Sequence, residues 1–313
     1  MRLYKLTRKK SGWLCINLMP DRVDVSRVET EGRARPEIVL CDSYRKDGDD
    51  VATLGRLRRE LKLDQYHCTT LLKGGDYQIV QVEAPGVPAN EVKTAVRWRV
   101  KDVIDFPVDQ ATVDALYIPS AEGVQEKGVQ MFAVAARNAL VAATVNPFNE
   151  ASIALEVIDI PELAQRNLAA RFEEEGRGLA FLTFGPQGGL LTFTCGGELY
   201  QHRRIDLVPD SFLTAAGDQK RALYERVVLE LQRSLDQFDW QFRHIAVARV
   251  IVTPLPGAED LGTYLATHMN VPITLLDLAQ IMDFPRVPEL REPVHQGQCV
   301  HMIGAALRAE GVT

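Results

Sequence analysis

The residues of this chain best placed to do chemistry lie in three turns. Ile16-Asn17-Leu18-Met19-Pro20-Asp21, Thr183-Phe184-Gly185-Pro186-Gln187-Gly188-Gly189 and Val252-Thr253-Pro254-Leu255-Pro256-Gly257 each close a short apolar run. Glycine-containing turns of this kind can cradle phosphates, because backbone N–H groups approach a phosphate closely only where side chains are absent. Hydrated Mg²⁺ would need an acid near each of the first two. The first turn has Asn17 at that place, no glycine, and Pro20, which removes a donor. The second keeps Gly185, Gly188 and Gly189 but has Thr183 instead of an acid. The third, where two adjacent glycines would be needed, has Gly257 alone and two prolines. These residues predict no catalytic group, no metal and no cofactor, with weak or regulatory ATP and Mg²⁺ binding as the alternative.

Other constellations are weaker. Gly74-Gly75 and Gly196-Gly197 lack a Walker context and read as hairpin turns. His295 and His301 flank Cys299 without a fourth ligand, so packing or solvent exposure is expected. Ser26, Ser43, Ser152 and Ser211 have no nucleophile elbow around them. Arg97, Trp98, Arg99 and Lys101 form a basic, aromatic-bearing stretch that could stack on nucleic acid. The simpler reading is the solvated side of an amphipathic helix with its tryptophan packed inward.

The elements that must position these residues repeat. Gly12–Leu18, Asp21–Val28 and Pro36–Cys41 read as three short strands leading into a helix over Asp49–Leu63. Gly178–Phe184, Gly189–Cys195 and Glu198–Ile205 do the same before a long helix over Lys220–Phe242. Between them, strands over Tyr66–Leu72, Asp76–Val82, Thr112–Ile118 and Val129–Ala135, with helices over Ala89–Ile104 and Asn138–Glu150, predict an inserted α+β unit at 66–150. Later come a strand at Ile153–Asp159, a helix at Pro161–Phe172, a strand at Arg249–Thr253, a helix at Ala258–Met269, a strand at Val271–Leu276 and a last helix at Gln298–Arg308. The charged break Glu173-Glu-Glu-Gly-Arg-Gly178 marks the boundary between halves. The organisation expected is therefore 1–176 with the insertion, 177–295, and 296–313 returning to the first half.

Composition bounds the function. At 313 residues, 46% hydrophobic and 25% charged, the chain can bury two cores, and its formal charge of −6 argues against a dedicated nucleic-acid binder. Arg2, Lys5, Arg8, Lys9 and Lys10 form a basic N-terminal cluster that could touch anionic lipid, though solvation is the plainer reading. No apolar run approaches the ~20 residues that span a bilayer, and no signal-peptide core is present, so a cytosolic protein is expected. The five cysteines are scattered and read as buried hydrophobes in a reducing compartment.

The duplicated strand-helix pattern is that of an actin-like (ribonuclease H-like) α/β fold, in which a nucleotide sits between the halves. Several stretches resemble the PilM family of actin-like type IV pilus assembly proteins, most closely its MshI branch from mannose-sensitive haemagglutinin (MSHA) pilus systems. They are Val92-Lys-Thr-Ala-Val-Arg-Trp-Arg-Val-Lys-Asp-Val-Ile-Asp-Phe106, Met131–Arg137, Leu155–Ala164, Glu230–Asp236 and Ile303–Arg308, in the family's order across nearly the whole chain. The resemblance implies a non-enzymatic cytoplasmic scaffold at the inner face of the bacterial inner membrane. Its first domain and insertion would form a groove for the N-terminal cytoplasmic tail of a PilN-like membrane protein, with a pilus assembly ATPase or platform protein as a further partner. The departure in the three turns puts the family's ATP binding in doubt here. A flexible tail adding a strand and one apolar anchor would bind at micromolar affinity. Arg97, Trp98, Arg99 and Lys101 are the partner-binding candidates.

Overall fold

The computed structural model describes residues 9–120 and 128–309. Strands β1 (Trp13–Leu18), β2 (Arg22–Glu29) and β3 (Glu37–Arg45) form an antiparallel meander. Helix α1 (Asp50–Leu61) follows, opened by the Asp49 carboxylate accepting the Ala52 N–H at 2.8 Å. Then come β4 (His67–Leu71), β5 (Tyr77–Glu83), α2 (Val92–Arg99), β6 (Ala111–Tyr117), β7 (Gln130–Arg137), α3 (Asn138–Glu150) and β8 (Leu155–Asp159). Helix α4 (Pro161–Ala169) starts on a proline whose missing N–H costs nothing there, and crosses to the second half. The second half runs β9 (Gly178–Gly185), β10 (Gly188–Cys195), β11 (Glu198–Ile205), α5 (Pro209–Thr214), α6 (Asp218–Gln241), β12 (Val247–Val252), α7 (Leu261–His268), β13 (Ile273–Leu275) and α8 (Pro293–Ala306).

Two five-stranded sheets share one topology. Their orders are β3-β2-β1-β4-β8 and β11-β10-β9-β12-β13, each an antiparallel meander extended by two parallel strands. Strands β9 and β10 are buried along nearly their whole length because both faces are covered. Leu179 and Phe181 point to α4 and α8, whereas Ala180, Leu182 and Phe184 point to the core under α6 and α7. Alternation along one strand thus feeds two cores.

A third sheet, of order β5-β7-β6, carries α2 on one face through Val92, Val96, Val100, Met131, Ala133 and Ala135. Its other face leans on the second half, where Ile118 and Phe132 join the core of Leu182 and Ile205. The inserted unit is narrower than 66–150. Strand β4 pairs with β1 and β8, and Phe148 of α3 packs among Leu14, Ile16, Leu54 and Leu57, so both belong to the first lobe. The physical reason is burial: Cys68-Thr69-Thr70-Leu71 is buried without alternation and fits the middle of a covered sheet. Gly74-Gly75 is consequently no hairpin but the crossover between two sheets, since β5 pairs with β7. Gly196-Gly197 does close the β10–β11 hairpin.

Helix α2 ends at Arg99, earlier than the expected Ile104, and α8 begins at Pro293, before the expected Gln298. The last helix lies against β1, β2, β4 and α4. Cys299, Val300, Met302, Ile303, Ala305 and Ala306 are buried along it. Its end is fixed by Arg308 Nη1 at 3.3 Å from Asp159 Oδ2. Of the cysteines, Cys15, Cys41, Cys68 and Cys299 are buried and Cys195 is half-buried, all as free thiols.

Candidate functional site

The first turn is the β1–β2 hairpin, closed by the Met19 N–H donating to Arg22 O at 2.9 Å. Asn17 turns its amide toward Met19 Sδ at 3.6 Å. The second is the β9–β10 hairpin, in which Gly185 pairs with Gly188 around Pro186-Gln187. Gly185 has open space around it, but a Cβ on Gly189 would meet Ile205 Cβ at 3.2 Å, and Gly188 has φ +101° with Ile205 O at 2.5 Å from a Cβ position. These two glycines serve the packing of β11. Gly257 is filled from behind by α5: a Cβ there would lie 2.9 Å from Leu213 Cα, and its N–H donates to Glu259 Oε1 at 2.9 Å.

These residues do not fit Mg-ATP. Asn17 brings no charge, and the Thr183 hydroxyl is buried and donates to Gln165 Oε1 at 2.8 Å. Among the described residues no group of three His, Cys, Asp or Glu side chains could hold a metal ion. Asn17, Leu18, Asp50, Thr70, Lys73 and Asp76 line a cavity of about 210 Å³ in the first lobe. Pockets that enclose a drug-sized ligand start at about 300 Å³. His295 Nε2 sits 3.8 Å from Cys299 Sγ, while His301 faces Gln165 instead, so the three do not converge.

What the sequence did not reveal is a polar cluster between the lobes. Glu162 at the start of α4 has no exposed surface. Its Oε1 accepts from Arg204 Nη2 of β11 at 2.7 Å, and its Oε2 accepts from the Tyr77 hydroxyl of β5. Arg204 Nη2 also lies 2.6 Å from Tyr77 Oη. Burial pushes the Tyr77 phenol up, and the Glu162 charge adds to the effect. One turn along α4, Gln165 Nε2 donates to Phe181 O at 2.6 Å and Thr192 Oγ1 at 2.9 Å, and its Oε1 faces His301 Nε2 at 3.1 Å. An acid beside Pro161 and a basic pair on a strand, Arg203-Arg204, carry no sequence signal of this pairing.

Burial holds the His301 imidazole down at about 4, Arg204 adding to the effect and Glu162 opposing it. The unfolded chain titrates near 6.5, so between those values it binds a proton that the folded chain refuses. Stability is therefore full above about pH 6.5 and is lost as pH falls toward 4, by about 1–2 kcal/mol at pH 5. Urea midpoints at pH 7 and pH 5 should differ accordingly, and His301→Gln should shrink the difference.

On the inserted unit, Val92, Val96 and Val100 face the sheet, so Trp98, two residues from Val96, points the opposite way. It is 64% exposed rather than packed inward, and Val103 beyond the helix end is 56% exposed. Arg97 is committed locally, donating to Val108 O from Nε at 3.1 Å and Nη2 at 2.7 Å. Arg99 and Lys101 are exposed and make no ion pair among the described residues. Of the N-terminal basic cluster, Arg2, Lys5 and Arg8 lie outside the described residues, Lys9 pairs with Glu156, and Lys10 Nζ is 3.3 Å from Tyr66 Oη. No helix among the described residues is long and apolar enough to cross a membrane.

The chain is similar in structure to one chain of a PilM-PilN type IV pilus biogenesis complex, with TM-score 0.72 and 19% identity, over 95% of this chain and 98% of that one. The cytoplasmic domain of EpsL, an inner membrane component of the type II secretion system of Vibrio cholerae, matches with TM-score 0.50 and 13% identity over 96% of each chain. A Bacteroides thetaiotaomicron protein with an actin-like ATPase fold and unknown function matches with TM-score 0.50 and 8% identity, over 97% and 99%. No family model and no curated protein matches the sequence. Together with the duplicated sheets, these likenesses give the chain the actin-like α/β fold expected from its strand pattern.

Proposed function

We propose that this chain is a non-enzymatic scaffold of a type IV pilus assembly platform, of the MshI kind that serves MSHA pili. In this reading it works at the cytoplasmic face of the inner membrane, where it docks the N-terminal tail of a PilN-like protein. An assembly ATPase or platform protein is its further partner. Support comes from the end-to-end likeness to a chain of the PilM-PilN complex. The observation that carries the docking role is Trp98, 64% exposed on a short helix and flanked by the exposed charges of Arg99 and Lys101. An exposed tryptophan supplies the large, rigid apolar area that anchors a flexible segment.

Because Trp98 packs on nothing in the core, Trp98→Ala should leave stability within about 0.5 kcal/mol. It should weaken capture of a synthetic PilN-like tail about tenfold, the scale of an anchor worth over 1 kcal/mol. Arg99→Glu with Lys101→Glu should weaken it several-fold and in a salt-dependent way. Arg97 is a poor test, because its guanidinium holds Val108 O and reversal would disturb the inserted unit itself. Fluorescence titration of the labelled tail reads all three proteins, and indifference to Trp98→Ala would move the groove elsewhere.

A further inference from the structure

The cleft between the lobes contains polar contacts that docking on α2 does not use. Gln187, at the tip of the β9–β10 turn, places Oε1 2.7 Å from the Gly74 N–H in the first lobe's crossover. Arg204 closes on the same glycine, since a Cβ added to Gly74 would collide with its guanidinium and lie 2.7 Å from Gln187 Oε1. Beyond it, Tyr77 of the inserted unit, Glu162 of the connecting helix and Arg204 of the second lobe form one closed triad around a carboxylate with no exposed surface. Three parts of the molecule meet in three side chains.

We infer that these contacts are a built-in clamp, in which the chain's own side chains hold the two lobes together across the cleft where an actin-like fold would hold a nucleotide. Gln187 presents to the Gly74 N–H the kind of oxygen that a phosphate would present. Glu162 supplies the negative charge that would otherwise come to Arg204 from an anionic ligand, and it does so with both oxygens satisfied. A nucleotide that reached the Gly74 N–H and the Arg204 guanidinium would have to displace Gln187 and Glu162 from them. Opening would break the Gln187–Gly74 and Arg204–Tyr77 contacts, because Gln187 and Arg204 belong to one lobe while Gly74 and Tyr77 belong to the other side of the cleft. The lobes are thus held in one arrangement whether or not nucleotide is present.

The inference does not rest on which partner docks, and its test is separate from tail binding. Hydrogen exchange read by mass spectrometry on the full chain reports opening at residues 72–80 and 183–190. Two gentle variants release the clamp. Gly74→Ala displaces the flexible ends of Gln187 and Arg204 without straining the backbone, and Tyr77→Phe removes one hydroxyl. Each should speed exchange in those segments by about fivefold or more while leaving β1 to β3 unchanged, as expected of a local opening. In the unaltered protein about 1 mM Mg-ATP should change exchange by less than about twofold. The clamp is overturned if both variants leave these segments within about twofold of the unaltered protein, or if Mg-ATP alone protects the 16–21 and 183–189 turns about tenfold.

Discussion

Gly304→Ala should be among the most damaging single substitutions in this protein, although it adds one methyl group to a helix. A Cβ on Gly304 would fall on the carbonyl oxygen of Ala164 in α4, with the carbonyl carbon at 2.6 Å and the Cα at 3.3 Å. The obstacle is backbone, so no rotamer change relieves it. Helix α8 cannot slide away easily either. Asn167 Nδ2 donates to Gly304 O at 3.1 Å, and Arg308 is tied to Asp159 one turn on. Overpacking costs about 1–3 kcal/mol and more where the backbone must move, against a helix-propensity gain of at most about 1 kcal/mol. The net loss expected is about 2–3 kcal/mol, or a fall in Tm of roughly 3–5 °C for a chain of this size.

Gly55→Ala provides the internal contrast. Gly55 lies inside α1, and a Cβ there would meet only the tip of Arg59, at 4.0 Å. The same change should raise stability by about 0.5–1 kcal/mol, because alanine loses less backbone freedom than glycine on entering a helix. Thermal melts of the two variants side by side should move in opposite directions. A Gly304→Ala protein as stable as its parent would mean that α4 and α8 cross more loosely than this geometry, and that the tie between the connecting and last helices is weak.

Much of the frame was legible because local pattern and tertiary role agreed. The meanders β1–β3 and β9–β11 and the helix at Asn138–Glu150 lie within a few residues of where their periodicity puts them. Strand β4 belongs to the first lobe rather than the insertion, and its sequence does not show this, because a fully buried strand and the first strand of an inserted hairpin look alike and only its pairing with β1 and β8 separates them. An inward-packed Trp98 does not follow from its aromaticity, because its offset from Val92, Val96 and Val100 already places it on the opposite face. The glycine turns were readable as degenerate. That Gly188 and Gly189 instead serve β11, and that Gly257 is packed by α5, follows from contacts no local pattern encodes. The clamp was invisible for the same reason. Tyr77, Glu162 and Arg204 stand 85 and 42 residues apart along the chain and meet only after both sheets are built.

The second large effect should come from cutting that triad at one end. Arg204→Ala would leave the Glu162 carboxylate, with no exposed surface, facing Tyr77 alone. Breaking a buried pair in this way costs about 3–5 kcal/mol, mostly because the surviving charge is stranded. The Arg204 side chain keeps 36% of its surface, so water entering beside it should reduce the loss to about 2–4 kcal/mol. Glu162→Gln keeps the shape and an acceptor for Tyr77 but removes the charge, and should cost about 1–3 kcal/mol. The informative quantity is the double variant. With the carboxylate gone, losing Arg204 strands nothing, so Glu162→Gln with Arg204→Ala should be no less stable than Arg204→Ala alone, a coupling of about 1.5–3 kcal/mol in a double-mutant cycle. Chemical denaturation of the four proteins measures it. Additive losses would mean that the guanidinium is held by solvent rather than by Glu162, and a cleft held that way could open to a ligand. Strong coupling would tie the inserted unit, the connecting helix and the second lobe through one carboxylate. If α2 docks a partner as proposed, it would then meet that partner already fixed in place, without the ordering cost that a hinged platform would bring to each docking event.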